Sequence, residues 1–293
     1  MTHLTKRVPL KCSPLRARAL PAQPNPRGRF GRGAMPPSEC PSAMVKARVL
    51  VTGLSGLIGH ALRKEIGDRA ELSALNRSAV EGVPCHRADI ANLEGIRPAF
   101  EGVDTVVHLA AQLGSASWEA LRDINVTGTY NVFEAARQAK VKRVVFASSG
   151  ATVSGIESEP PYRDLVAGRY EGLTSWPMLT HLSPVRPSGL YGVSKVWGEA
   201  LGRQYADTHG LSVICVRIGR VHAQDRPLSA REFSVWCSQR DIARLFARCI
   251  EASPALSYEI VFGNSRNKWG YRDLEHTRAV LGWEPVDAAE NYR

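Results

Sequence analysis

The sequence predicts an α/β fold, a doubly wound parallel sheet with a small C-terminal part. Three observations predict it. A branched apolar run, Val49-Leu50-Val51, leads into glycines at 53, 56 and 59 and then into residues of helical period. Strand-like and helix-like stretches then alternate as far as residue 218. One segment rich in proline, glycine and aromatic residues, 155–189, interrupts the alternation and is too long for an ordinary connection.

The first unit is the most informative. Gly53 permits a tight turn, Gly56 lets the backbone approach a pyrophosphate, and Gly59 lets the following helix pack close to the strand. Leu57, Ile58, Ala61, Leu62 and Ile66 share one helical face, with Arg63, Lys64 and Glu65 turned away. The helix N-terminus then offers free N–H groups to an anion, which makes Gly53, Gly56, Leu57, Ile58 and Gly59 candidate contacts to a dinucleotide. The GxxGxxG spacing is one residue longer than the usual fingerprint, and an ordinary glycine turn is the plain alternative. A second strand, 70–77, should end at the adenosine ribose, where an acid would grip the 2′-hydroxyl and an arginine would favour a 2′-phosphate. Here Asn76 and Arg77 follow one another with no acid, so NAD and NADP both stay open.

A short third strand at 85–90 ends near Asp89, and a fourth at 103–111 runs into Leu109, Ala110 and Ala111, small enough for a flat cofactor to lie on them. A helix follows with Val126, Tyr130, Phe133 and Ala136 on one stripe, then a fifth strand at 143–147 ending in Ser148-Ser149-Gly150. The 155–189 segment reads as a functional loop, often a lid. Tyr191 to Lys195 opens a helix carrying Gly198, Leu201, Gly202 and Tyr205, and 211–218 is a sixth strand. Ser238 with Asp241 resembles a capping box ahead of the stripe Ile242, Leu245, Phe246, Cys249 and Ile250. A last strand is expected at 258–263 and a last helix at 272–281.

Composition bounds the rest. The 293 residues carry a net charge of +10. Residues 1–43, however, hold eight of the 38 Lys/Arg, one acid and eight of the 18 prolines, leaving 30 Lys/Arg against 27 Asp/Glu in the remainder. The basicity thus belongs to a leader expected to be disordered and read as an extension upstream of a start at Met44, not to a nucleic-acid surface. No apolar run approaches the roughly 18 residues of a membrane span. The six cysteines form no CxxC pair or zinc spacing, which points to a reducing, cytoplasmic setting without a disulfide framework or metal.

Tyr191 and Lys195 stand at i and i+4 and share one helix face. An ammonium beside a phenol lowers its pKa and suits it to act as a general base near neutrality, and a hydroxyl from Ser149 or Ser148 could orient the substrate oxygen.

Taken in order, TGLSGLIG at 52–59, Asp89-Ile90, HLAA at 108–111, Asn125, the serine pair 148–149 and YGVSK at 191–195 resemble the extended short-chain dehydrogenase/reductases, the NAD-dependent epimerase/dehydratase family. The resemblance covers about 44–293 and implies a Rossmann-type domain with substrate-binding segments near 155–189 and 220–293. It implies that Asp89 and Ile90 hold the adenine, that Asn125 supports the proton relay, that Lys195 also holds the nicotinamide ribose, and that Ile218 borders the cofactor. Within the family, VRIG at 216–219, FSVW at 233–236 and GWEP at 282–285 are most similar to uronate dehydrogenases, which oxidise a hexuronate at its anomeric carbon. That likeness places Arg231 at the carboxylate and Gln112, Ser149 and Gly150 around the sugar, with Thr152 as the alternative hydroxyl, and Arg220 and Arg231 are expected to bind an anionic group. The chain departs from those enzymes at Leu113 and Arg220, where they have serines, and in its longer 155–189 segment. The expected activity is an NAD(P)-dependent oxidoreductase of a sugar or sugar acid in a homodimer. The alternatives are a sugar epimerase or a non-catalytic NADP sensor.

Overall fold

The computed structural model describes residues 46–114 and 116–293. The leader 1–43, Met44, Cys12 and Cys40 lie outside the described residues, and with them the reading of the leader. In chain order the strands are β1 (Ala47–Thr52), β2 (Ala70–Asn76), β3 (Cys85–Arg87), β4 (Thr105–His108), β5 (Arg143–Ser149), β6 (Ser212–Ile218) and β7 (Tyr258–Gly263). All pair in parallel, in the spatial order β3-β2-β1-β4-β5-β6-β7. The chain direction therefore reverses its march between β1 and β4, and a crevice opens at the carboxyl ends of those strands.

The helices are α1 (Leu57–Ile66), α2 (Leu93–Ile96), α3 (Trp118–Ala120), α4 (Thr129–Gln138), α5 (Tyr162–Val166), α6 (Leu190–His209), α7 (Glu232–Val235), α8 (Gln239–Glu251) and α9 (Glu275–Leu281). Alternate strand residues serve opposite faces. Val49, Val51, Val145 and Ile214 pack with Leu62 of α1 and Ile242, Leu245 and Phe246 of α8. Leu50, Val106, Val144 and Cys215 pack with Val132 and Phe133 of α4 and Tyr205 of α6. Burial on both faces is why these strands are continuously apolar in sequence.

Close approach of α1 to the sheet rests on Gly59, where a Cβ would stand 2.3 Å from the Leu54 carbonyl oxygen. Backbone cannot yield as a side chain tip can, so Gly59→Ala should cost about 1–3 kcal/mol by overpacking. Urea unfolding measures it, and an unchanged midpoint would contradict the close contact.

Several expectations are corrected. β3 and β4 are shorter than 85–90 and 103–111, so Asp89 and Leu109 to Ala111 lie in the turns beyond them. The stripe through Val126 and Tyr130 is not the buried one. Leu121–Gly128 is π-helical, and burial runs through Asn125, Thr129, Val132, Phe133 and Ala136, with Tyr130 44% exposed. Polar side chains sit inside because each has a partner, such as Asn131 donating to the Ile90 carbonyl at 2.8 Å. Gly198 and Gly202 of α6 face Phe146 and Val213 of the sheet, where a Cβ would come to 2.4 and 2.9 Å, so both glycines serve the close approach of α6 to the sheet. Ser238 does cap α8, accepting from Asp241 N–H at 2.9 Å, but the Asp241 carboxylate turns to the Val286 and Asp287 N–H groups.

The 155–189 segment is not a bare loop. Tyr162, Leu165 and Leu179 share a third core with Val235, Phe262, Trp269 and Tyr271. Leu179 N–H donates to Tyr271 O at 2.7 Å, which ties the segment to the C-terminal part.

Candidate active site

The crevice at the strand ends has two lobes, of about 620 and 340 Å³, which share Gly53, Gly56, Leu109 and Ala111. Gly53 takes φ of +73°, and a Cβ there would come within 2.9 Å of Ala110 N, so the turn presents bare backbone at the join. No side chain caps the N-terminus of α1, which leaves its first N–H groups free for an anion. Two lobes joined at such a turn match a dinucleotide with its pyrophosphate at the middle.

The smaller lobe is bordered by Asn76, Arg77, Asp89, Ile90, Ala110 and Gln112. Asn76 donates to Ser55 Oγ at 2.7 Å, while its buried Oδ1 has no partner in the protein. A buried acceptor without a donor is costly unless a ligand supplies one, and a ribose hydroxyl can. Asp89 spends Oδ1 on the Ala91 N–H at 2.9 Å and keeps the other oxygen. Arg77 is exposed. These residues fit an adenosine half. Gln112, expected beside the sugar, borders this lobe and not the larger one; successive residues of an extended chain point to opposite sides, and Leu113 takes the other side.

The larger lobe brings together Ser149, Gly150, Tyr191, Lys195, Arg220 and Arg231, with Leu57, Ile58, Gly59 and Ile218 beside them. β5 delivers Ser149 at its carboxyl end, and the first turn of α6 delivers Tyr191. Of the rival hydroxyls, Ser149 lines the larger lobe beside Tyr191 and favours its phenolate. Thr152 is fully buried and donates to the Ser149 carbonyl at 2.9 Å, and Ser148 donates to Glu199 at 2.6 Å.

The Tyr191 phenol does not have the lowered pKa expected from the i, i+4 lysine. Burial raises it above its usual value, and the neighbouring Ser149 hydroxyl and the Arg220 charge oppose that only in part. Lys195 is turned elsewhere: its Nζ donates to the Ala147 carbonyl at 2.8 Å and lies 5.6 Å from the centre of the Tyr191 ring. Burial pulls the ammonium down to about 8, against the pull of Glu199.

Asn125 sits in the π-helical stretch, a geometry frequent at functional sites. It clamps Gln112, accepting from its N–H at 2.7 Å and donating to its carbonyl at 2.9 Å, and also donates to Ser194 Oγ at 3.1 Å. Ser194 in turn donates to the Tyr191 carbonyl at 2.7 Å. One side chain thus links the end of β4 to the turn carrying Tyr191. Below it, Thr52 Oγ1 accepts from Ala110 N–H and bonds His108 Nδ1 at 2.7 Å, while His108 Nε2 bonds Thr129 at 3.1 Å. Burial, with Lys195 adding to it, drops the His108 pKa to about 3, so the imidazole is neutral.

Sequence reasoning missed Glu157 and Arg272. Arg231 donates from Nε and Nη2 to the Glu157 carboxylate at 2.5 and 2.7 Å. Tyr271 donates to the same carboxylate at 2.5 Å, and Arg272 lies 4.0 Å from it. Arg272 also occupies the space beside Gly150, where a Cβ would stand 2.2 Å from its guanidinium. Neither residue belongs to a motif, and no local pattern marks them. Among the described residues no cluster of three or more metal-ligating side chains occurs, and no helix is long and apolar enough to cross a membrane.

Comparison with known proteins agrees with this geometry. The model of the NAD dependent epimerase/dehydratase family matches residues 49–233. The chain is 36% identical over 255 residues to NAD-dependent glucose-6-phosphate dehydrogenase of Haloferax volcanii, covering 83% of this chain and 95% of that protein. It is 36% identical over 252 residues to L-arabinose 1-dehydrogenase (NAD(P)(+)) of the same organism, covering 82% and 97%. Among solved structures, uronate dehydrogenase from Agrobacterium tumefaciens superimposes with a TM-score of 0.72 at 32% identity, over 85% of this chain and 88% of that one.

Proposed function

Because the chain belongs to the NAD dependent epimerase/dehydratase family, we propose that it is an NAD(P)-dependent oxidoreductase that moves a hydride between a sugar or sugar acid and the nicotinamide. The observation that carries this is the meeting of Ser149, Tyr191 and Lys195 in the larger lobe, at the far side of a bare glycine turn from an adenosine-sized lobe. Relatives named for glucose 6-phosphate and L-arabinose support a carbohydrate substrate.

In this reading Gly53, Gly56 and the first turn of α1 would hold the pyrophosphate, with Asn76, Asp89 and Ile90 at the adenosine and Lys195 and Ile218 at the nicotinamide half. When bound, the nicotinamide supplies the hydride acceptor. Tyr191 takes the proton of the substrate hydroxyl at its phenolic oxygen, and Ser149 orients that hydroxyl. Burial favours the neutral phenol, so Tyr191 acts once its own proton has left to solvent; Ser149 and Arg220 both favour the phenolate that then accepts the substrate's proton. Asn125 acts through Ser194 to fix the turn on which Tyr191 stands. The same reading places the protein in the cytoplasm as a homodimer, which light scattering checks; four free cysteines among the described residues, three of them buried, support a reducing compartment.

Reduced cofactor should form when the protein meets NAD or NADP with a panel of aldoses and hexuronates, followed by near-ultraviolet absorbance. A protein that binds cofactor but reduces none with any of them, while converting one sugar into its epimer, would be an epimerase instead.

A further inference from the structure

Resting on the larger lobe being the sugar site, we propose that Glu157 sets the substrate class: its carboxylate fills the guanidinium fork of Arg231, so the site takes an aldose without a carboxylate there and turns hexuronates away. Arg231 borders the lobe together with Ser149 and Tyr191, so it is the fork an incoming carboxylate would meet. Two of its donors are already spent on Glu157 at 2.5 and 2.7 Å, the bidentate geometry that suits a carboxylate best. A ligand carboxylate would have to break two charge-assisted bonds or lie against a like charge.

Glu157 is not free to step aside. Its side chain is only 12% exposed, and it also accepts from the Tyr271 hydroxyl at 2.5 Å. Burial alone would raise its pKa, but Arg231, Tyr271 and Arg272 together hold the carboxyl below its usual range. The turn that carries it, Ser154–Ser158, is anchored by Gly155 N–H donating to Arg186 O at 2.6 Å and by Ile156 against the third core. Arg231 keeps Nη1, a donor suited to a hydroxyl or ring oxygen. Charge points the same way. Glu157 offsets one of the two guanidiniums beside it, Arg231 and Arg272, and removing it would leave both uncompensated next to Arg220 at the lobe.

The test uses the full chain and matched sugars, D-glucose with D-glucuronate and D-galactose with D-galacturonate, in wild type and Glu157→Gln. Turnover and calorimetric binding to the cofactor-loaded protein are both read. Wild type should prefer the neutral member of each pair by about tenfold or more, and Glu157→Gln should move the ratio toward the uronate by about tenfold, chiefly in KM and in the calorimetric Kd. A wild type that binds the uronate as tightly as the neutral sugar overturns the proposal even if the variant does not fold. So does a folded variant with an unchanged ratio, and so does binding of neither class. Turnover failing with every sugar while calorimetry shows the shift would remove the oxidoreductase reading and leave the role of Glu157 standing. Normal turnover with no preference would do the reverse.

Discussion

Replacing Tyr191 by phenylalanine should lower kcat by about 10²- to 10⁴-fold, the range that one positioned general base supplies, and leave cofactor affinity unchanged. The substitution removes one oxygen and keeps the ring, so the packing of α6 against β5 and against the turn at Gly114 is preserved. What disappears is the phenolic oxygen, whose ionised form Ser149 and Arg220 favour. Ser149 itself stays oriented, because its Oγ also accepts from the Ala151 N–H at 3.1 Å. Steady-state kinetics give kcat, and calorimetry with NAD or NADP gives the affinity. A variant that turned over near the wild-type rate would take Tyr191 out of the proton transfer. A variant that lost cofactor binding as well would show that the tyrosine builds the lobe and does not act in it.

The second large effect concerns stability. Glu199→Ala should cost about 3–5 kcal/mol, because it strands a buried guanidinium. Arg217 donates from Nε and Nη2 to the two oxygens of Glu199 at 2.9 and 2.8 Å, with side chains 2% and 5% exposed. Ser148 adds a third bond to the carboxylate at 2.6 Å, and Tyr258 donates to the Glu199 carbonyl at 2.9 Å. The pair bolts α6 to β5, β6 and β7 directly behind the turn that ends in Ser149. Breaking it by removing one partner is costly, whereas replacing both with apolar residues of similar volume can be near neutral. Urea unfolding of Glu199→Ala, and of the double variant Glu199→Leu with Arg217→Met, separates these outcomes. A loss under about 1 kcal/mol in the single variant would mean that water reaches Arg217 and screens it.

The core strands were legible in the sequence because a strand buried on both faces must be apolar at every position, as Val49 to Val51 and Val213 to Val216 are. Gly53 and Gly59 were legible for a related reason, since each marks a place where backbone meets backbone. The buried face running from the π-helical turn into α4 was not, because Asn125, Thr129 and Asn131 are admitted by hydrogen bonds to partners far along the chain, and periodicity sees only hydrophobicity. The phenol of Tyr191 shows the same limit in its electrostatics. The spacing to Lys195 is right for one helix face, yet the ammonium is drawn to the Ala147 carbonyl and burial governs the phenol instead. Glu157 lies 74 residues from Arg231 and 114 from Tyr271, a separation at which no local pattern can announce a contact.

The third core has a consequence for how the chain is made. The five strands β1 to β5 are neighbours in space and come from residues 47–149, so the cofactor half can assemble while synthesis continues. Tyr162 and Leu165 instead wait for Trp269 and Tyr271, about a hundred residues later, and domains emerging from the ribosome fold in that order. The nascent protein should therefore gain protease resistance in two steps, the second arriving only once Trp269 and Tyr271 have emerged. Pulse proteolysis of chains arrested at increasing lengths would reveal the steps, and a single late transition would show that the halves fold together.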